Sequence, residues 1–391
     1  MQTASVLWHV SLLVPEHKPI ALGLVGLVRV LPILVFSLVS GVIADALDRR
    51  KLMLATQSCM AALAGSLAML TFRGLSVVWP IYLLTAMSAA VGSFDSPARQ
   101  SLVPNLVTRE DLPNAISLVT IMFQIASVAG PSLAGIVIAS FGVGWVYAFN
   151  AASFLMVILA LLLMRNVPAV HGTLRGTISL RSALEGLRFV FTSPMIRSTM
   201  LLDFYATFFS SATALLPIFA QDILHVGARG YGWLYAAQSI GALLASVLMV
   251  RMVDRIERRG AVLLWAVTTH GLTTAVFGLS RVFWLTFRCL AMTGASDTVS
   301  MVLRNIIRQL ETPDHLRGRM TGVNMAFFMG GPQLGELEAG LVANWLGAFF
   351  TVVSGGIGCL LATAWITLKT PVLPAYRRSE YSPRSSASQR R

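Results

Sequence analysis

Eleven stretches of about twenty mainly apolar residues follow one another along the chain. They run roughly 20–43, 52–72, 76–94, 113–139, 143–164, 198–221, 231–253, 260–280, 282–301, 318–346 and 347–369. A backbone surrounded by lipid has no water to bond, so each such stretch must close its own hydrogen bonds as a helix. A further apolar segment opens the chain, from Met1 to Val14, and stops at Pro15. At 1.5 Å per residue it covers about 21 Å, short of the roughly 30 Å of hydrocarbon. The expectation is a first helix that is incomplete, as if the chain started at an internal methionine. Composition agrees with a membrane protein: 55% of the 391 residues are hydrophobic and 12% charged, about half the charge of a soluble domain. A soluble enzyme and a disordered chain are both excluded.

Basic residues set the orientation, because Lys and Arg gather on the cytoplasmic side. With the segment after 20–43 taken as inside, 24 of the 30 basic residues fall in inside loops and the tail. They include Arg49, Arg50 and Lys51, then Arg99 and Arg109, then Arg251, Arg255, Arg258 and Arg259. The outside loops hold Lys18, Arg73, Arg229 and Arg281, while Arg29 and Arg288 lie within spans. This places the C-terminus in the cytoplasm. It also reads the net charge of +13 as a topology signal spread over short loops, not a nucleic-acid face.

The chain repeats itself. Gly92-x-x-Asp95 returns as Gly294-x-x-Asp297, Gly130-Pro131-x-Leu133 as Gly331-Pro332-x-Leu334, and Asp45…Arg49-Arg50 as Asp254…Arg258-Arg259. The order is kept and the offset is nearly constant, which implies two homologous six-helix halves. The expected units are an N-terminal bundle at 1–164, a cytoplasmic linker at 165–197, a C-terminal bundle at 198–369 and a disordered basic tail at 370–391. Within the linker, Leu180, Ala183, Leu184, Leu187 and Phe191 recur at helical spacing between arginines, as in an amphipathic surface helix.

Four motifs carry a family resemblance. The first is Gly41-x-x-x-Asp45-x-x-Asp48-Arg49-Arg50-Lys51, and the second is Gly130-Pro131-Ser132-Leu133-Ala134-Gly135. The others are Phe94-Asp95-Ser96-Pro97-Ala98-Arg99-Gln100 and Gly331-Pro332-Gln333-Leu334-Gly335-Glu336-Leu337-Glu338-Ala339-Gly340. Together they resemble the major facilitator superfamily of transporters, in the drug-exporter branch that includes enterobactin exporters and macrolide efflux proteins. The first motif departs from the family at Ala46, where a basic residue is usual. The resemblance implies a monomeric, twelve-helix, two-bundle all-α fold in the cell's inner membrane. It implies gating roles for Gly41, Asp45, Arg49, Arg50, Asp95, Arg99 and Asp254. It implies an exporter motif at Gly130, Pro131 and Gly135.

Physical chemistry gives these residues matching capacities. Gly41 lets helices approach, Asp45 suits a helix N-terminus, and Arg49 and Arg50 can grip carboxylates with two-pronged hydrogen bonds. Ionisable groups inside the membrane are expensive and so are functional candidates: Arg29, Asp203, Arg288, Asp297, Glu336 and Glu338. Counting along the helices puts Arg29 and Glu336 at matching depths on helices 2 and 11, which are neighbours in the superfamily, so a pair across the halves is expected. Glu338 lies about 200° round from Glu336. Asp203 is either a cavity group or a solvated acid near a helix end. Arg288 and Asp297 point to opposite sides of helix 10, and Asp297 shares a face with Arg304, as an ion pair or a substrate contact. Tyr205, Phe208, Phe209, Trp233, Tyr235, Trp284 and Phe327 are candidates for an aromatic cavity lining.

No phosphate-binding Gly-x-x-x-x-Gly-Lys-Ser/Thr is present, which speaks against ATP drive in this chain. Cys59, Cys289 and Cys359 lack metal or disulfide spacing, and neither a metal site nor a cofactor is expected. The leading function is proton-coupled export of an amphipathic organic solute, siderophore or drug-like, by alternating access. The alternative is a non-transporting copy or receptor, motivated by the short first helix and Ala46.

Overall fold

The computed structural model describes residues 1–108, 110–164, 187–313 and 316–377. Arg109, residues 165–186, which hold most of the expected linker helix, and the tail from 378 lie outside the described residues. The first half holds α1 (Gln2–Leu13), α2 (Lys18–Ala46), α3 (Arg49–Phe72), α4 (Trp79–Leu106), α5 (Leu112–Phe141) and α6 (Val143–Leu163). The second holds α7 (Pro194–Phe209), α8 (Gly227–Met252), α9 (Arg259–Leu279), α10 (Phe283–Glu311), α11 (Arg317–Leu346) and α12 (Ala348–Lys369). Helix α7 runs on through tight and wide turns to Ile223. No strand occurs among the described residues.

Local chemistry sets where helices begin and end. The Asp48 carboxylate accepts from the backbone N–H of Arg50 (2.9 Å) and Lys51 (3.2 Å), capping α3. Prolines in the first turn start α4, α5 and α7, where a missing N–H costs nothing. Gly142 and Gly347, at φ 89° and 87°, end α5 and α11 and let α6 and α12 start at once. The duplication therefore extends to the backbone of equivalent turns.

Eight of the described helices are long and apolar enough to cross a bilayer, and between 17% and 53% of each apolar window is buried. The rest of that apolar surface faces outward, with Trp345, Leu368 and Val250 each more than 80% exposed. Lipid is the medium such a surface needs. Helices α4, α10 and α11 match three further expected spans in length, at 28, 29 and 30 residues. They carry the interior charges Asp95, Asp297, Arg304, Arg308, Glu336 and Glu338. Helix α1 has 12 residues, and Ala4 to Ser11 are all buried, with Trp8 packed on Tyr231 of the second half.

The halves meet where α2 packs on α11 and α5 on α8. Both contacts are glycine-to-glycine. A Cβ placed on Gly23 would lie 2.9 Å from the Cα of Gly340, and one on Gly135 would lie 2.7 Å from that of Gly232. These crossings sit where α2 and α8 begin and α5 and α11 end. At the same end Lys18 pairs with Asp222 (2.8 Å), the Gln221 amide donates to Ser11 (2.8 Å) and the Tyr231 hydroxyl donates to the Ala4 carbonyl (2.8 Å). This end is sealed.

At the opposite, basic end Leu34, Val35 and Phe36 on α2 are all exposed, as are Ile121, Met122 and Phe123 on α5. One polar contact joins the halves there, from the Gln124 amide of α5 to the Ser246 hydroxyl of α8 at 3.5 Å. The described contacts between the halves are thus densest at the end where α2 and α8 begin.

Gly135→Ala is expected to lower the thermal midpoint of the purified protein by several degrees, since its Cβ would meet the Ala228 carbonyl oxygen at 2.6 Å. Gly65→Ala, with nothing within 4 Å of the added carbon, is expected to leave the midpoint unchanged or raise it by the helix preference of about 0.5–1 kcal/mol. Differential scanning fluorimetry in detergent separates the two.

Candidate functional site: a hydroxyl-lined cavity and two buried charge clusters

Between α1, α2, α3 and α4 the first half forms a partly open cavity of about 460 Å³, within the usual range for small-molecule sites. Arg29 lines it, together with Gln2, Thr3, Thr85, Ser88 and Ser93. The α4 contribution follows from helical periodicity. Residues 85, 88, 89, 92, 93 and 96 stack on one face, and all are hydroxyl-bearing or small. This stripe was not among the sequence candidates, although its spacing is visible in the sequence. The Thr85 side chain is buried and its hydroxyl has no hydrogen-bond partner.

Behind Arg29, across the seam, lies Glu336 of α11. Its side chain packs on Gly26, where an added Cβ would come 2.9 Å from Oε2. That oxygen is buried without a partner, as is the Gln333 amide oxygen one turn earlier. Arg29 is close enough to act on Glu336 electrostatically, but no ion pair within 4.0 Å joins them among the described residues. The expected contact is thus a charge across a gap, because the glycine crossing draws Glu336 against α2 one turn from Arg29. Glu338 is half-buried two residues on.

The second half holds a buried charge cluster. Asp203 of α7 receives Arg304 at 3.0 Å and Arg308 at 3.3 Å, both from α10, and Arg304 also reaches Asp297 at 3.5 Å. Arg308 further donates to the Thr199 carbonyl (2.9 Å) and to Asn324 of α11. Two acids balance two bases, which keeps the cost of burying charge low. Asp203 is therefore not the solvated helix-end acid that was one of its two readings. Its side chain is 6% exposed, since α10 crosses α7 there and brings both guanidinium groups to it. Arg288 is exposed on α10 and belongs to neither cluster.

The gating candidates divide. Asp95 is buried, accepts from Thr56 (3.0 Å) and Gln57 (2.8 Å) of α3, and pairs with Arg99 at 3.3 Å. Arg50 does not hold a carboxylate among the contacts described. Its guanidinium donates to the carbonyls of Leu161 (2.8 Å) and Leu162 (3.0 Å), at the end of α6, where unpaired carbonyls attract a cation. Arg49 is half-buried and Asp254 lies exposed in the turn after α8. The side chains of Gly41 and Asp45 lie outside the described residues. Pro131 and Gly135 form the α5 side of the seam, and Gly130 faces the Met1 amino group.

The aromatic candidates divide. Tyr205, Phe208, Phe209 and Phe327 join Phe204 in a run of ring contacts at 5.3–6.1 Å on α7 and α11. Trp233 and Trp284 are exposed, and Tyr235 stacks edge-on against Tyr231. None of them lines the first-half cavity.

A family model described as transmembrane secretion effector matches residues 1–389. The chain belongs to that family, within the major facilitator superfamily. Enterobactin exporter EntS of Escherichia coli O1:K1 / APEC is 29% identical over 343 residues, which is 88% of this chain and 81% of the relative. EntS of Citrobacter koseri is 29% identical over 346 residues, 87% of this chain and 81% of the relative. Among solved structures, a bacterial homologue of the lysosomal transporter Spinster superposes with TM-score 0.73 at 14% identity, over 98% of this chain and 96% of that one. The nucleoside transporter NupG superposes with TM-score 0.67 at 14% identity, over 94% and 96%. The family match runs through both halves, which favours the transporter over the non-transporting alternative. The protein is a multi-pass membrane transporter; its relatives are transporters, not enzymes.

Asp203→Asn is expected to destabilise the protein by about 3–5 kcal/mol, since it strands two buried arginines. Asp297→Asn, half-buried with one weaker contact, is expected to cost less than half of that. Thermal midpoints of the two purified variants provide the comparison.

Proposed function

We propose that the protein exports an amphipathic organic solute, siderophore or drug-like, by alternating access driven by the proton gradient. The observation that carries this reading is the pairing of a sealed seam with an unpartnered carboxyl oxygen inside it, on Glu336. The basic end faces the cytoplasm by the positive-inside rule, so the C-terminus is cytoplasmic and the seal is external. A bacterial inner membrane is the location, on the analogy of the enterobactin exporters, and the transporting unit is a monomer.

Glu336 then has the position a proton carrier needs. It lies ten residues from the end of α11, about 15 Å below the external surface. Opening the seam exposes it to the outside; closing the seam buries it beside Arg29 at the cavity wall. The superfamily match and the enterobactin exporters support outward transport. The Gly130-Pro131 motif supports it as well, lying on the seam that must open.

In proteoliposomes with an imposed pH gradient, the wild-type protein is expected to move a fluorescent amphipathic probe at least tenfold faster than without the gradient. Glu336→Gln is expected to abolish the acceleration and Glu338→Gln to retain it. Acceleration that survives in Glu336→Gln assigns the proton to another group and overturns this role.

A further inference from the structure

The cavity in the first half has an unusual wall. Arg29 is the only charged side chain on it among the described residues. The polar remainder is hydroxyl and amide, with Ser40 and Ser96 beside Thr3, Thr85, Ser88, Ser93 and Gln2. The other surface is apolar, from Val6, Val25, Ile33 and Met60. Glu336 stands behind Arg29 and is not part of the wall. Ala89 and Gly92 leave the α4 face low, and a Cβ at Gly92 would touch only the Met60 methyl at 3.3 Å.

Among the described residues, a cation entering this space would meet a guanidinium and no carboxylate. At low dielectric that encounter is strongly repulsive. An anion would meet one guanidinium and a row of hydroxyl donors. We infer that this cavity binds a singly anionic, amphipathic organic solute, with Arg29 as its anion contact and the α4 hydroxyls as donors to its oxygens. One charge sets the stoichiometry, because a second acid group would have no cation to meet. The apolar wall takes the hydrocarbon or ring portion. The inference rests on the exporter reading only for the direction in which the solute moves.

The test uses the full chain in nanodiscs and three dansyl probes of matched size. They end in a carboxylate, a primary amide or a quaternary ammonium. The carboxylate is expected to bind at least tenfold more tightly than either of the others. Arg29→Gln is expected to bring that preference to within twofold of unity, and Arg29→Lys to restore most of it. Arg288→Gln removes the same charge from an exposed site outside the cavity and is expected to leave the preference intact. Ser88→Ala is expected to weaken carboxylate binding several-fold. A carboxylate that binds no better than the ammonium, or a preference that survives Arg29→Gln, overturns the inference. Proteoliposome flux separates this from the exporter reading. Outward movement of the ammonium probe in preference to the carboxylate leaves export standing and removes the anion site. Carboxylate preference in binding, with no flux of any probe, upholds the site and removes export.

Discussion

Backbone-to-backbone approach at Gly23 with Gly340 and at Gly135 with Gly232 governs how the two halves meet. Apolar helices gain nothing from leaving lipid for each other, so their attraction has to come from dispersion and weak backbone contacts. Both fall off within a fraction of an ångström, which is why the contacts need residues without a Cβ. The two crossings lie at one end of the molecule and on opposite sides of it. They join two densely packed bundles along narrow backbone contacts, and in the proposed alternating-access cycle these are the contacts that must part.

The halves share a scaffold but distribute polarity differently. Equivalent positions in the repeat give Asp95 on α4 and Asp297 on α10, and both are answered by arginines further along their own helices. The second half then adds Asp203 and Arg308 and pairs every member, so its charges serve to tie α7, α10 and α11 together. The first half commits Asp95 to Thr56, Gln57 and Arg99 and leaves Arg29 facing open space. Unpartnered buried polar atoms remain in both halves, among them Gln57 in the first and Gln333 and Glu336 in the second, but the charged group that lines a cavity belongs to the first.

The architecture was legible because lipid imposes a length and a polarity on every span, and the order of motifs revealed the repeat. Arg29 and Glu336 were found by the cost of charge in a membrane, and their depths by counting residues along straight helices. The partners of Asp203 were hidden, since Arg304 is a hundred positions away and only the crossing of α7 with α10 joins them. Arg50 was misread because its sequence shows a guanidinium but not the carbonyls of α6 that it serves. The α4 stripe was present in the sequence at helical spacing. It was overlooked because hydroxyls and glycine signal less strongly than charges and aromatic rings.

Arg29 would also shape the energetics of the proposed proton-coupled cycle. With Glu336 ionised, Arg29, Glu336 and a bound solute anion carry one net negative charge among them. Moving that charge outward would run down a membrane potential that is negative inside, at about 2.3 kcal/mol per 100 mV. On the return leg a proton on Glu336 leaves Arg29 as the net charge, and moving it inward would run down the same potential. In that cycle one field favours both half-cycles, and a single carboxyl and a single guanidinium suffice to couple outward movement of an anion to the energy of the membrane.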